Sequence, residues 1–125
     1  MNQEEQEMIW IKDSLKMNKL RINESYKDVE FADTRQINMM TRDFIKKAKG
    51  FIPFARRALS LSSSSSQSDH DRLDRLSSLV GGLDKTLYSY EGRKMVHEYA
   101  LLSKNIVLEI IDITCDTYER VLTEM

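Results

Sequence analysis

Proline and glycine are scarce in this chain, one and four residues among 125. So few turn formers, with no sustained alternation of apolar and polar residues, disfavour a strand-rich fold and favour an all-α one. Cysteine is scarcer in effect: the single Cys115 excludes an internal disulfide and any cysteine metal cluster. No apolar run approaches the roughly 20 residues of a membrane span. The acidic start MNQEEQE also lacks the basic-then-apolar order of a signal peptide, so the chain is expected to be soluble as it stands. Whether a targeting peptide has been removed is left open.

Apolar and charged residues are plentiful. A hydrophobic content of 41% beside 31% charged residues describes a globular protein rather than a disordered tail, and the length fits one domain, residues 1–125, around one core. The periodicity predicts four helices, at about 3–20, 34–59, 69–91 and 94–122. The first carries Met8, Ile11 and Leu15 with Trp10 and Met17 beside them, and Asn18 falls where the apolar stripe should continue. The second begins at the capping box Asp33 to Gln36. Its apolar arc runs from Ile37 through Phe44 and Ala48 to Ala58, with Pro53 on the opposite side and a kink expected near Gly50.

Between the second and third helices, the serine run at about 60–67 reads as a flexible loop from Ser62 to Gln67, with a capping box at Ser68 and Asp71. The third helix follows the three-four spacing of a bundle seam from Leu73 to Tyr90. Gly81 and Gly82 interrupt it, which predicts close approach of a neighbouring helix or a local kink, and Gly92 ends it. The last helix is apolar around most of its circumference, with a narrow polar face that includes Glu109, Asp112 and Glu119. Such a helix belongs at the centre of a bundle or in an interface. Four helices with short connections predict an up-down-up-down four-helix bundle.

Charge is segregated along the chain. Residues 35–60 hold seven basic residues against one acid, Asp43, while the whole chain nets -1. At 100° per residue, Arg35, Arg42, Lys46, Lys49, Arg56 and Arg57 fall within an arc of roughly 100°, opposite the apolar face. The plain reading is a solvated helix face. The functional reading is an electrostatic docking strip for an acidic protein surface, an anionic membrane or nucleic acid. Protein is preferred, because the strip lacks interleaved exposed aromatics and the rest of the chain is acidic. Peripheral membrane association stays open.

Catalytic constellations are thin. His70 and His97 lie on different helices, neither in the spacing of a carboxylate-histidine metal site. Asp69, His70, Asp71 and Asp74 could touch a cation, but acids at a helix start commonly serve as caps and dipole partners. Cys115 reads as a packing thiol. Tyr88, Tyr90, Tyr99 and Tyr118 with Trp10 could line a ligand pocket or simply form core, and Met39 with Met40 would be an adhesive patch only if both faced solvent. No phosphate loop or nucleophile elbow is present, so neither an enzyme nor a cofactor is expected.

Two stretches resemble the PsbQ-like family of helical-bundle subunits, extrinsic to photosystem II and related thylakoid complexes. FIKKAKGFIPFARRAL, Phe44 to Leu59, is similar to the family's basic second helix. LSSLVGGLDKTLYSYEGR and EYALLSKNIVLEI, within Leu76 to Ile110, are similar to its leucine-spaced third helix and the opening of its fourth. About half the chain is covered. The chain departs from the pattern in having Pro53 inside the second helix and no proline-rich N-terminal arm. The resemblance implies a non-enzymatic docking subunit in the thylakoid lumen, whose Arg42, Lys46, Lys49, Arg56 and Arg57 meet an acidic partner; without it the expected location is the cytoplasm. The rival expectations are a membrane or nucleic-acid binder using the same strip, and a bundle that binds a small molecule.

Overall fold

The computed structural model describes residues 2–86 and 96–125. Among these are four long helices and no strand: α1 Gln3–Tyr26, α2 Thr34–Leu61, α3 Gln67–Thr86 and α4 Val96–Glu124. The expectations on Leu87, Tyr88, Tyr90, Gly92 and Lys94 fall outside the described residues.

The starts of α1, α2 and α3 are each explained by a side chain. Asn2 accepts the amide of Glu5 at 2.8 Å at the head of α1. At α2 the expected capping box is complete, Asp33 accepting from the Gln36 amide at 2.8 Å and Gln36 from the Asp33 amide at 2.9 Å. At α3 the box sits two residues earlier than the sequence suggested. Ser66 Oγ accepts the Asp69 amide at 3.3 Å, and the Asp69 carboxylate accepts the Ser66 amide at 3.0 Å. Ser68 is therefore already inside the helix, and Asp71 accepts a bond from the Gln67 side chain instead.

Three helices outlast their expected ends, α1 by six residues and α2 and α4 by two each. α1 continues to Tyr26 because Asn18 satisfies itself, its side-chain amide donating to the Ser14 carbonyl at 3.0 Å, and the buried stripe resumes at Ile22. Trp10 and Met17 leave that stripe altogether, lying 69% and 50% exposed. α2 is one continuous helix through Pro53, which is exposed as its place opposite the apolar arc requires.

Ion pairs between helices report their directions. Lys16 reaches Glu119 at 3.2 Å and Lys19 reaches Asp112 at 2.7 Å, so residue numbers rise along α1 as they fall along α4. Arg56 pairs with Asp74 at 2.7 Å and Lys49 with Asp84, which makes α2 and α3 antiparallel. Ile37 packs with Ala100 at one end, and Ser62 to Ser64 meet Glu124 at the other, so α2 and α4 run parallel. That is the up-down-up-down bundle, in which α2 and α4 are diagonal partners.

The diagonal is short. α2 and α4 make the most extensive contact in the molecule, α1 lies mainly on α4 and α3 mainly on α2. Small residues permit this approach. Thr41, Ala48 and Ala55 recur every seven residues along the buried face of α2, with Ser62 buried just past its end, while Ala100, Ser103, Thr114 and Thr117 are buried on α4. Thr41 and Thr114 donate to the carbonyls of Ile37 and Ile110, four residues back at 2.9 and 2.8 Å, so the hydroxyls enter the core already satisfied. The central position expected for α4 follows directly: Val107, Ile110, Ile111 and Tyr118 are among the most deeply buried side chains.

Of the two expectations for Gly81 and Gly82, close approach is not met: a Cβ built at either meets nothing within 4 Å among the described residues. The serine loop departs too, because Glu124 holds it. The carboxylate accepts the Ser63 amide at 3.2 Å and the Ser64 hydroxyl at 2.9 Å, and Ser62 is buried.

A basic outer face on helix α2

The sequence places six basic residues on one arc of α2, and the structure divides them into two groups. Lys49 and Arg56 lie on the flank towards α3 and are engaged there by Asp84 and Asp74. Arg57 lies on the other flank, 3.6 Å from Glu7 of α1. Lys47, outside the arc, meets Asp43 at 3.0 Å, so the only acid of α2 is compensated within its own helix. Arg35, Arg42 and Lys46 are all exposed on the outer face, and all lie in the first half of the helix.

Arg35 and Arg42 stand two turns apart with an apolar side chain on the turn between them, and Lys46 follows one turn beyond Arg42. Met39 is 62% exposed between Arg35 and Arg42, whereas Met40 packs against the core. Thr34, Arg35, Asn38, Met39 and Arg42 line a hollow of about 550 Å³. A second hollow of about 280 Å³ adjoins it, lined by Arg42, Ile45, Lys46, Lys49 and Asp84. Arg42 belongs to both, which makes it the centre of the face. Among the described residues, Arg35 and Lys46 take part in no ion pair, so their charge is directed at solvent.

Met39, Thr34 and Asn38 were not singled out as part of the strip by sequence reasoning. The signal for Met39 was present in its wheel position, 200° from Ile37 and thus among the bases rather than on the apolar arc. A methionine in such a place offers an adaptable apolar contact inside a charged surface, a composition common in protein interfaces.

The other candidate chemistry dissolves into structure. Asp69 caps α3, and the Ser66 amide holds its carboxyl below the ordinary value of 3.8. Asp74 is engaged by Arg56. Among the described residues no group of histidine, cysteine and acidic side chains could hold a metal ion. Cys115 is buried against the Lys12 carbonyl at 3.7 Å, and burial pushes its thiol up to about 11, the reverse of what a nucleophile needs. Tyr118 is buried with its hydroxyl unpartnered, Tyr99 is half-buried and Trp10 is exposed, so these three share no pocket. An open groove of about 670 Å³ lies between α3 and α4, where Leu79 and Leu102 flank Gly82. No described helix is long and apolar enough to cross a membrane.

No family model, no curated protein and no solved structure matches this chain.

Proposed function

We propose that this protein is a non-enzymatic interaction subunit that docks on an acidic protein surface through the first half of α2. The observation that carries the reading is the grouping of exposed bases around an exposed apolar side chain. Arg35, Arg42 and Lys46 stand on one exposed face of α2 with Met39 among them, and Arg35 and Lys46 form no ion pair among the described residues. Arg42 and Lys46, four residues apart, are like charges on adjacent turns, a modest penalty that an acidic partner would relieve.

Protein is favoured over the other anionic partners by the apolar element in the face. A polyanion reader would present further cations or stacking aromatics where Met39, Asn38 and Thr34 lie. An extrinsic PsbQ-like subunit of photosystem II is the specific form of this proposal, and it rests on the two resembling stretches alone.

The test is charge reversal. In capture of proteins from the native source, Arg35→Glu, Arg42→Glu and Lys46→Glu together should abolish the specific partners at physiological salt, with helicity by circular dichroism unchanged. Reversal of Arg75 and Lys85 on α3 serves as the control and should leave capture intact. Capture equal in the two variants would remove the reading, and loss of binding to anionic vesicles or duplex DNA instead would transfer the face to those partners.

A further inference from the structure

The outer face of α2 carries a row with the same spacing as its buried one. On the inner face Ile37, Thr41, Phe44 and Ala48 alternate four and three residues apart, and the face they form meets α4. On the outer face Arg35, Met39, Arg42 and Lys46 repeat that alternation, and all four are exposed. At 100° and about 1.5 Å per residue they fall within about 60° of one another and span about 16 Å. They make a nearly straight ridge about three turns long, parallel to the helix axis.

The composition of the ridge restricts what can lie on it. Its apolar member, Met39, has a base four residues before it and bases three and seven residues after it. In paired helices, apolar seam residues supply contact area, and charged residues in and beside the seam choose the partner. Two copies of this ridge would set bases against bases, so the face rejects a second copy of this chain and selects the opposite sign. Asp43 does not neutralise it from within, because Lys47 engages that carboxylate at 3.0 Å.

The fold restricts the shape of the partner as well. An extended peptide docks by adding a strand to a sheet edge, and there is no strand among the described residues. A polyproline segment docks between aromatic side chains, and the ridge holds none. A straight row of side chains on a convex helix fits a second helix laid nearly parallel, each side chain entering between those of its counterpart. Resting on the docking role proposed above, we infer that the partner presents an acidic amphipathic helix, laid along α2 from Arg35 to Lys46. Carboxylates three or four and seven residues from a central apolar side chain meet Arg35, Arg42 and Lys46. That apolar side chain packs beside Met39, over the hollow between Arg35 and Arg42. Lys49, next in the row, is engaged by Asp84, which ends the seam.

Two synthetic peptides of about 20 residues separate recognition of a helix from general attraction to acid. Both are alanine-rich and helical, with the same composition and net charge. One places glutamates four and seven residues to either side of a single leucine, on one face; the other spreads the same glutamates around the circumference. By fluorescence anisotropy with the full chain at physiological salt, the one-faced peptide should bind about tenfold tighter or more. Arg42→Glu should remove that preference, with circular dichroism unchanged because Arg42 is exposed. Lysine in place of one of the two glutamates nearest the leucine should restore binding to Arg42→Glu, and which of the two does so reports the relative direction of the helices. Equal affinity for the two peptides would overturn the helical partner and leave docking on an acidic surface standing, since that docking is tested separately by capture. Binding of neither peptide, a preference that survives Arg42→Glu, or failure of both lysine peptides to rescue also overturns the inference.

Discussion

Gly82 shows how a residue can satisfy its helix without being required by it. Gly81 and Gly82 sit within α3 in ordinary helical backbone, without positive φ, and open space surrounds both Cβ positions. Glycine in a helix interior loses more backbone freedom on folding than alanine, at about 0.5–1 kcal/mol. Gly82→Ala should therefore raise stability by about that amount, read as a higher urea midpoint with an unchanged slope. Destabilisation would mean that the groove beside Leu79 and Leu102 closes over that site. The buried stripes, the α2 capping box and the packing role of Cys115 were all legible in residue type and spacing. Trp10 and Met17 were not, because periodicity scores large side chains as interior wherever they recur with helical spacing. Only the competition for the inner arc of α1, filled by Met8, Ile11, Leu15 and Ile22, shows that they are left outside.

The ends of the elements depended on partners distant in sequence. Asn18 looked like an interruption of α1 because its self-satisfying bond to Ser14 cannot be read from composition. The serine run looked slack because its anchor, Glu124, lies about 60 residues away at the end of α4. These contacts predict a pH dependence. The Ser66 amide holds Asp69 below its ordinary 3.8, the Lys16 ammonium holds Glu119 below 4.5, and the Ser64 hydroxyl holds Glu124 below 4.5. In the unfolded chain these carboxylates regain their ordinary values and bind protons first on acidification. Their stabilisation is thus present at neutral pH, and is lost as pH falls through about 4.5 and below. Urea unfolding followed from about pH 6 to about pH 3 should show a steadily falling midpoint. Glu124→Gln should reduce the slope by removing one of the three groups, and a flat profile would show that none of these contacts is retained in solution.

At the scale of the whole molecule, charge separates scaffold from surface. Pairs between α1 and α4, between α2 and α3, and between Arg72 of α3 and Glu109 of α4 join adjacent helices, and all but the last repeat the antiparallel sense of the bundle. Exposed pairs of this kind contribute little stability each, about 0.2–1 kcal/mol. Their consequence is selection of register, since sliding α1 along α4 would set Lys16 and Lys19 away from Glu119 and Asp112. The sequence made the four-helix architecture readable because each helix carries apolar residues at helical spacing. It could not divide the basic strip, because compensation of Lys49, Arg56 and Arg57 depends on α3 and α1 lying on either side of α2. The first half of α2 carries a short exposed face centred on Arg42, with Arg35, Lys46 and Met39 around it. A zero-length carbodiimide crosslink to the captured partner measures that face most directly, since it joins a lysine only to a carboxylate already against it. Lys46 should be the principal lysine crosslinked, to aspartate or glutamate of the partner. Crosslinks concentrated on Lys12, Lys16 or Lys19 of α1, with Lys46 unmodified in the complex, would contradict docking through α2.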